Sequence, residues 1–219
     1  ATKKTPSMFI DYRNKKTCLN NLELSLLGGF QARNAALALS ACLHHAHKNG
    51  KDINEQSIRK ALRETSWSGR MEVISLRPTI ILDTAHNPAA VKELAKSVQE
   101  LFSYARVILI LGVMNDKQAD EIFKKLANFA DHFILVRPKQ ERSENPTKLK
   151  QISKKYKSSC EIIENIPKAI LKAKKYALPD DMICVTGSIF TVGEAKQYFD
   201  NEPNFKTNFS PSTNLHLSG

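Results

Sequence analysis

Asp83-Thr84-Ala85-His86-Asn87-Pro88 follows directly on the apolar run Thr79-Ile80-Ile81-Leu82 and directly precedes a helical pattern. An acid and an imidazole therefore stand at a strand end beside a helix start, where α/β proteins place their ligand chemistry. Asn87 suits the helix N-cap and Pro88 the first helical position, and Val91, Leu94, Ala95, Val98, Leu101 and Phe102 then recur at the 3.6-residue period. The unpaired N–H groups of such a helix start attract anions. The same residues also fit an ordinary strand-to-helix turn in which Asp83 and His86 are merely solvated.

The surrounding pattern places this segment. From Met71 onward, strands at Met71–Leu76, Thr79–Asp83, Val107–Leu111, Phe133–Val136, Glu161–Glu164 and Met182–Thr186 alternate with helical segments. Continuous apolar strands between amphipathic helices predict an α/β fold, a mostly parallel, Rossmann-like sheet with helices on both faces. Ligands then collect at the carboxyl ends of the strands, where Asp83, Gly112 to Lys117 and Gly187-Ser188 all fall. The earlier part reads differently. Met8–Tyr12 and Leu22–Leu27 form short strands around Asn14-Lys15-Lys16-Thr17, followed by a helix over Ala32–Lys48 and another through Ile58, Ala61 and Leu62. These first elements are too few to close a core and suggest the tail of a larger domain. Asn201 to Gly219 is polar and without period, which predicts a disordered tail.

Composition narrows the function classes. The chain has 219 residues, 42% apolar and 25% charged, the balance of a globular protein. No apolar stretch approaches the roughly 18 residues of a membrane span and no signal peptide opens the chain, so a cytoplasmic protein without a membrane partner is expected. Cys18, Cys42, Cys160 and Cys184 lack metal-ligand spacing and are expected to be reduced, mostly core residues; no metal site is predicted. The net charge of +11 includes eleven Lys and Arg between Lys139 and Lys175. They fall mainly on outward helix faces, and otherwise supply a field for anions. Nucleic acid is not expected, for want of aromatic interleaving or a helix-turn-helix signal. Neither G-x-G-x-x-G nor a P-loop is present. His44, His45 and His47 share a helical segment without a nucleophile motif, which argues against a catalytic triad.

Four separated motifs, in this order, together resemble one family. They are Gly28-Gly29-Phe30-Gln31-Ala32-Arg33-Asn34-Ala35-Ala36, Trp67-Ser68-Gly69-Arg70-Met71-Glu72, Asp83 to Pro88, and Gly112-Val113-Met114-Asn115-Asp116-Lys117 paired with Gly187-Ser188-Ile189-Phe190-Thr191-Val192-Gly193-Glu194. The chain resembles the folylpolyglutamate synthase/dihydrofolate synthase family of the Mur ligase superfamily. That resemblance implies an ATP-dependent ligase that activates a folate or dihydropteroate carboxylate as an acyl phosphate and joins it to glutamate. It also implies that residues 1–66 end a central ATP-binding domain, 67–200 form the C-terminal Rossmann-like domain and 201–219 a tail. The P-loop and the magnesium ligands would belong to an upstream domain of the same protein, so this chain alone is expected to be inactive.

Each site residue follows from its motif position. Arg70 corresponds to an arginine that reaches the ATP γ-phosphate at the hinge between domains, Asp83 to the acid that accepts ribose hydroxyls, and Asn34 to an amide facing adenine. Asn34 serves equally as a helix-start cap. His86 is placed near the same pocket, orienting nucleotide or contacting glutamate, and fits a buried structural histidine as well. Lys117 and Ser188 match positions for the incoming glutamate. Thr84, Phe30 and Gln118 depart from the family pattern, where glycine, histidine and an acid are frequent. A cell-wall Mur ligase remains an alternative, as does a non-catalytic α/β module for an anion or nucleic acid.

Overall fold

The computed structural model describes residues 4–115, 117–202 and 210–214; Asp116 lies outside the described residues. Two compact units divide the chain, residues 1–68 with 208–219 and residues 69–207.

In the first unit, β1 (Lys4–Arg13) and β2 (Cys18–Leu24) pair antiparallel. The Asn14 side chain closes their turn by accepting the N–H groups of Lys16 and Thr17 at 2.8 and 2.7 Å. Helices α1 (Gly29–Lys48) and α2 (Glu55–Glu64) follow, the second capped by Asn54. Although the sequence suggests that these elements cannot close a core, Tyr12, Leu19, Leu22, Leu39 and Ile58 bury together. Leu19 and Leu22 of β2, brought to one side by the register shift between Ile10 and Tyr12, and one stripe of each helix suffice for that cluster. The core is thin, for only Gln31, Leu39 and Ala46 of α1 are buried.

The second unit carries the alternation read from the sequence. Its elements are β3 (Glu72–Leu76), β4 (Thr79–Leu82), α3 (Pro88–Leu101), β5 (Val107–Leu111), α4 (Ala119–Leu126), β6 (His132–Leu135), α5 (Pro146–Lys155), β7 (Cys160–Ile162), α6 (Ile166–Tyr176), β8 (Met182–Thr186) and α7 (Ile189–Asn201). The six strands lie in the order β3-β4-β8-β5-β6-β7, parallel except for β3, which pairs antiparallel with β4. Ile80, Leu82, Ile108, Ile110, Ile134, Ile183 and Val185 face α6 and α7 in one buried cluster. Phe133, pointing the other way from β6, stacks on Phe123 of α4 with ring centroids 4.7 Å apart, and α4 lies between α3 and α5. Burial on both faces explains why the strands read as unbroken apolar runs.

The last described strand, β9 (Ser210–Asn214), pairs parallel with β1. Of the expected disordered tail over residues 201–219, residues 203–209 and 215–219 lie outside the described residues, and Ser210–Asn214 forms this strand, for an edge strand's open N–H and C=O groups recruit backbone whatever its side chains. The cysteines are also corrected. All four are free, but Cys18 and Cys42 are exposed and only Cys184 is buried, because Cys42 falls on the bare face of α1. The lysines of α5 point outward, while Pro146, Leu149, Ile152 and Ser153 turn in. Among the described residues, no helix is long and apolar enough to cross a membrane.

At the amino edge of the sheet, the Asp181 side chain, 1% exposed, accepts Arg106 Nη2 at 2.5 Å and the Leu178 N–H at 2.9 Å. Arg106 and the Leu178 N–H hold the carboxyl below its ordinary value of 3.8, against the effect of desolvation. A lowered folded-state pKa contributes stability that is full above about pH 4 and is lost as pH falls through the folded value. Asp181→Asn should therefore lower the urea midpoint at neutral pH. The gap from wild type should close below pH 3.8; a gap independent of pH would refute the electrostatic account.

Candidate functional site

The turn from Gly69 to Glu72 is fastened at several points to the structure around it. The Gly69 N–H donates to Glu72 Oε2 at 2.8 Å, the Thr84 N–H to the Gly69 carbonyl at 2.9 Å, and the Met71 N–H to Asp83 Oδ2 at 2.9 Å. Gly69 adopts φ +71, and a Cβ there would meet Thr84 Cγ2 and Val192 Cγ1 at 2.9 Å. Met71 is a non-glycine residue at φ 45 whose side chain is buried. Arg70 stands exposed between these two buried residues. A fixed backbone thus presents one guanidinium, which reduces the ordering cost of using it.

Asp83 anchors this turn from the end of β4. It is 4% exposed, and its second oxygen accepts the Ala85 N–H at 2.8 Å. Burial pushes the carboxyl above the usual range, against the pull of the Met71 and Ala85 N–H groups and of the charges on Arg70 and His86. Those charge effects put Arg70, Asp83 and His86 in one neighbourhood. His86 is exposed, with Nδ1 3.0 Å from the Thr84 carbonyl, so a buried structural histidine is not what stands here. Asn87 caps α3 by accepting the Ala90 N–H at 2.8 Å, and Pro88 opens the helix.

The ends of β4, β5 and β8 are knotted together. The Gly187 N–H donates to the Ala85 carbonyl at 3.0 Å and the Gly112 N–H to that of Thr186 at 3.2 Å, while Thr191 Oγ1 donates to the Gly112 carbonyl at 2.7 Å. At Gly187, φ is +108 and a Cβ would lie 2.6 Å from the Gly112 oxygen, so only glycine fits. The chain leaves β5 for α4 and β8 for α7, helices on opposite faces of the sheet. That divergence makes a crevice beside β8, the switch point at which such sheets bind ligands.

Ser188 is the N-cap of α7 and is 2% exposed. Its Oγ accepts the Thr191 N–H at 3.0 Å and lies 2.8 Å from Thr191 Oγ1. Because the single Thr191 hydroxyl proton goes to Gly112, Ser188 must donate its own to Thr191. The hydroxyl is thereby committed, and what this position can offer a ligand is the backbone N–H groups of the α7 start. Lys117 lies in the β5–α4 loop, half-buried, with its N–H on the Met114 carbonyl. Asn34 belongs to the first unit, inside α1, where its amide donates to Gln31 Oε1 at 3.0 Å. The helix begins at Gly29 after Gly28, so the reading of Asn34 as a helix-start cap is not met.

Sequence reasoning missed Thr191, Glu72 and Lys196, whose roles come from partners distant in the chain. Concavity is no better guide. The clefts of 560 Å³ beside α7 and 570 Å³ around Arg106 and His132 contain none of Arg70, Asp83, His86 and Lys117. Among the described residues no group of three His, Cys, Asp or Glu converges as a metal site. The Asp83 oxygens already serve backbone amides, so the donor set does not fit magnesium.

Residues 69–189 match the family described as Mur ligase, glutamate ligase domain. The chain belongs to the Mur ligase family. Among sequence relatives of this Mur ligase chain is a probable bifunctional folylpolyglutamate synthase/dihydropteroate synthase of Haloferax volcanii, 33% identical over 177 residues, which cover 80% of this chain and 20% of the relative. The dihydrofolate synthase/folylpolyglutamate synthase of Bacillus subtilis is 26% identical over 189 residues, 85% of this chain and 43% of that protein. Mycobacterium tuberculosis folylpolyglutamate synthase complexed with ADP and AMPPCP superposes with a TM-score of 0.75 at 26% identity, covering 85% and 43% of the two chains. E. coli FolC in complex with DHPP and ADP gives 0.76 at 25%, covering 86% and 43%. The chain thus spans less than half the length of these relatives.

Of the departures from the expected pattern in this Mur ligase chain, Thr84 has a local setting and Gln118 has no structural explanation. The Thr84 methyl packs over Gly69, and Gln118 precedes α4 without a side-chain capping bond. Gly69→Ala should destabilise the fold by about 2–4 kcal/mol, since it combines a left-handed backbone with overpacking. Gly193→Ala is the control. It lies within α7 with nothing within 4 Å of its Cβ and should be neutral or stabilising by up to about 1 kcal/mol. Urea unfolding of the pair measures both, and equal effects would contradict the packing argument.

Proposed function

We propose that this chain forms the glutamate-binding and γ-phosphate-facing part of a cytoplasmic ATP-dependent ligase that adds glutamate to a folate or dihydropteroate carboxylate. The observation that carries this reading is the clamped turn presenting Arg70 at the switch point of a glutamate ligase domain. Relatives named as folylpolyglutamate and dihydrofolate synthases support the substrate class, and the ADP complexes among solved neighbours support ATP.

A carboxylate is a poor electrophile. Transfer of the ATP γ-phosphoryl group to its oxygen gives an acyl phosphate and ADP; the glutamate amine then attacks the acyl carbon, and inorganic phosphate leaves as the amide forms. Arg70 stabilises the charge that spreads over the transferred group, for which a planar guanidinium is suited. Asp83, whose two oxygens are taken by the Met71 and Ala85 amides, serves by fixing the backbone that bears Arg70 rather than by meeting the ribose itself. His86 lies beside Asp83 and orients the nucleotide; within the first unit, Asn34 is the amide assigned to adenine. Lys117 pairs with a glutamate carboxylate, and the N–H groups at the α7 start, held by Ser188, receive a second anionic oxygen. The phosphate cradle and magnesium come from a P-loop domain of the same protein.

In the full-length enzyme, Arg70→Ala should lower kcat on the order of a hundredfold, and Arg70→Lys should recover only part. Steady-state kinetics with both acceptors, dihydropteroate and a reduced folate, measure this; wild-type kcat in both variants would sink the phosphoryl role. Lys117→Ala should raise the KM for glutamate by roughly tenfold to a hundredfold with little change in ATP affinity. Ser188→Ala should mainly lower stability, by about 1 kcal/mol, as the loss of a helix cap does. A Lys117 variant with unchanged glutamate KM would remove it from the amino-acid site.

A further inference from the structure

Helix α7 touches the Arg70 turn as well as the strand-end knot. Ser188, Thr191, Val192, Ala195 and Phe199 form its buried stripe, at the spacing that keeps side chains on one face. Near the start of that stripe Thr191 ties the helix to Gly112, and the next residue, Val192, lies against Gly69. A further turn along, Lys196 Nζ sits 3.2 Å from Glu72 Oε1 and 2.5 Å from Asp200 Oδ1, with Lys196 and Glu72 both partly buried. The other oxygen of Glu72 accepts the Gly69 N–H. Lys196 therefore holds one side of the carboxylate whose other side closes the turn. Desolvation disfavours the ammonium, yet Asp200 and Glu72 outweigh it and keep Lys196 protonated above the ordinary lysine range.

We infer that Lys196 and Glu72 are positioning residues for Arg70, transmitting the fixed placement of α7 to the turn that presents the guanidinium. Neither need touch a substrate. With Lys196 ammonium on one oxygen, Glu72 is held in the rotamer that reaches the Gly69 N–H; without it, the carboxylate loses one of its holds and the Gly69 end of the turn loosens. A displacement on the order of 1 Å in such a group costs up to a hundredfold in rate while leaving ground-state binding largely intact. The inference rests on the phosphoryl role proposed for Arg70.

The test uses the full-length ligase with Lys196→Met, Lys196→Arg, Glu72→Gln, Asp200→Asn and Arg70→Ala in one kinetic series. Lys196→Met and Glu72→Gln should lower kcat by about tenfold to a hundredfold with the glutamate KM within about twofold of wild type. Lys196→Arg, which keeps the charge, should restore most of kcat. Asp200→Asn removes the partner on the far side from Glu72 and should leave kcat unchanged, with melting temperatures recorded for each. Wild-type kcat in Lys196→Met beside an impaired Arg70→Ala overturns the positioning role while sparing the reading of Arg70. Equal losses in Lys196→Met and Asp200→Asn overturn it too, because they would reflect general loosening of α7. An unimpaired Arg70→Ala removes the premise and the inference with it.

Discussion

The Asp83 carboxylate, buried with one oxygen on the Met71 N–H and the other on the Ala85 N–H, is the interaction on which the second unit's ligand edge depends. Burying a charge is costly unless hydrogen bonds replace its water. Here the replacements are two backbone amides on either side of β4, so the same bonds that offset desolvation also join the β3 entry to the β4 exit. An apolar residue would fill the space but leave both amides unpaired. An asparagine could accept only one of them. The raised carboxyl pKa shows that the compensation is partial, the ordinary condition of a group held for geometry.

From that pin outward, the order of strands does the rest. With β8 between β4 and β5, Ala85, Thr186 and Gly112 become immediate neighbours although they are far apart in the chain. The backbone hydrogen bonds among them bring Gly187 close to Gly112: a Cβ at Gly187 would lie 2.6 Å from the Gly112 oxygen, and one at Gly112 would lie 2.5 Å from Thr191 Oγ1. Ser188 and Thr191 then use their hydroxyls to lock α7 to this knot. The polar residues at the crevice divide into buried ones that hold backbone, Asp83, Ser188 and Thr191, and more accessible ones that can meet a ligand, Arg70, His86 and Lys117.

Much of this architecture was legible in the sequence because it rests on periodicity. Val107–Leu111 and Met182–Thr186 were readable to the residue, since five successive buried side chains leave no ambiguity. Asn87 and Pro88 announced the start of α3, and the αβ alternation announced the sheet. What escaped depends on pairing across the chain. Nothing local distinguishes Lys196 from the many lysines on helix surfaces, or Glu72 from any strand-edge acid, until α7 and β3 are brought together. The start of α1 escaped because Gly28 and Gly29 carry no capping side chain, and β9 because backbone pairing at an edge leaves no mark on composition. The commitment of the Ser188 proton could not be read either, for it follows from where Thr191 sends its own.

The positive charge of the chain takes on a narrower meaning in this setting. Lysines on α5 and the exposed side of α6 lie on outward faces and are screened within about 10 Å at moderate salt, so they contribute a diffuse field. Arg70 differs because its backbone is fixed at Gly69 and Met71 and it neighbours a buried carboxylate. Asp83 offsets part of its charge before any ligand arrives, so Arg70 is presented without binding every passing anion strongly. A ligand phosphoryl group that gains negative charge during transfer would compete for the guanidinium best at the moment of greatest charge. Under the phosphoryl role proposed for Arg70, rigid presentation with a partly compensated charge would favour a transition state over a ground state.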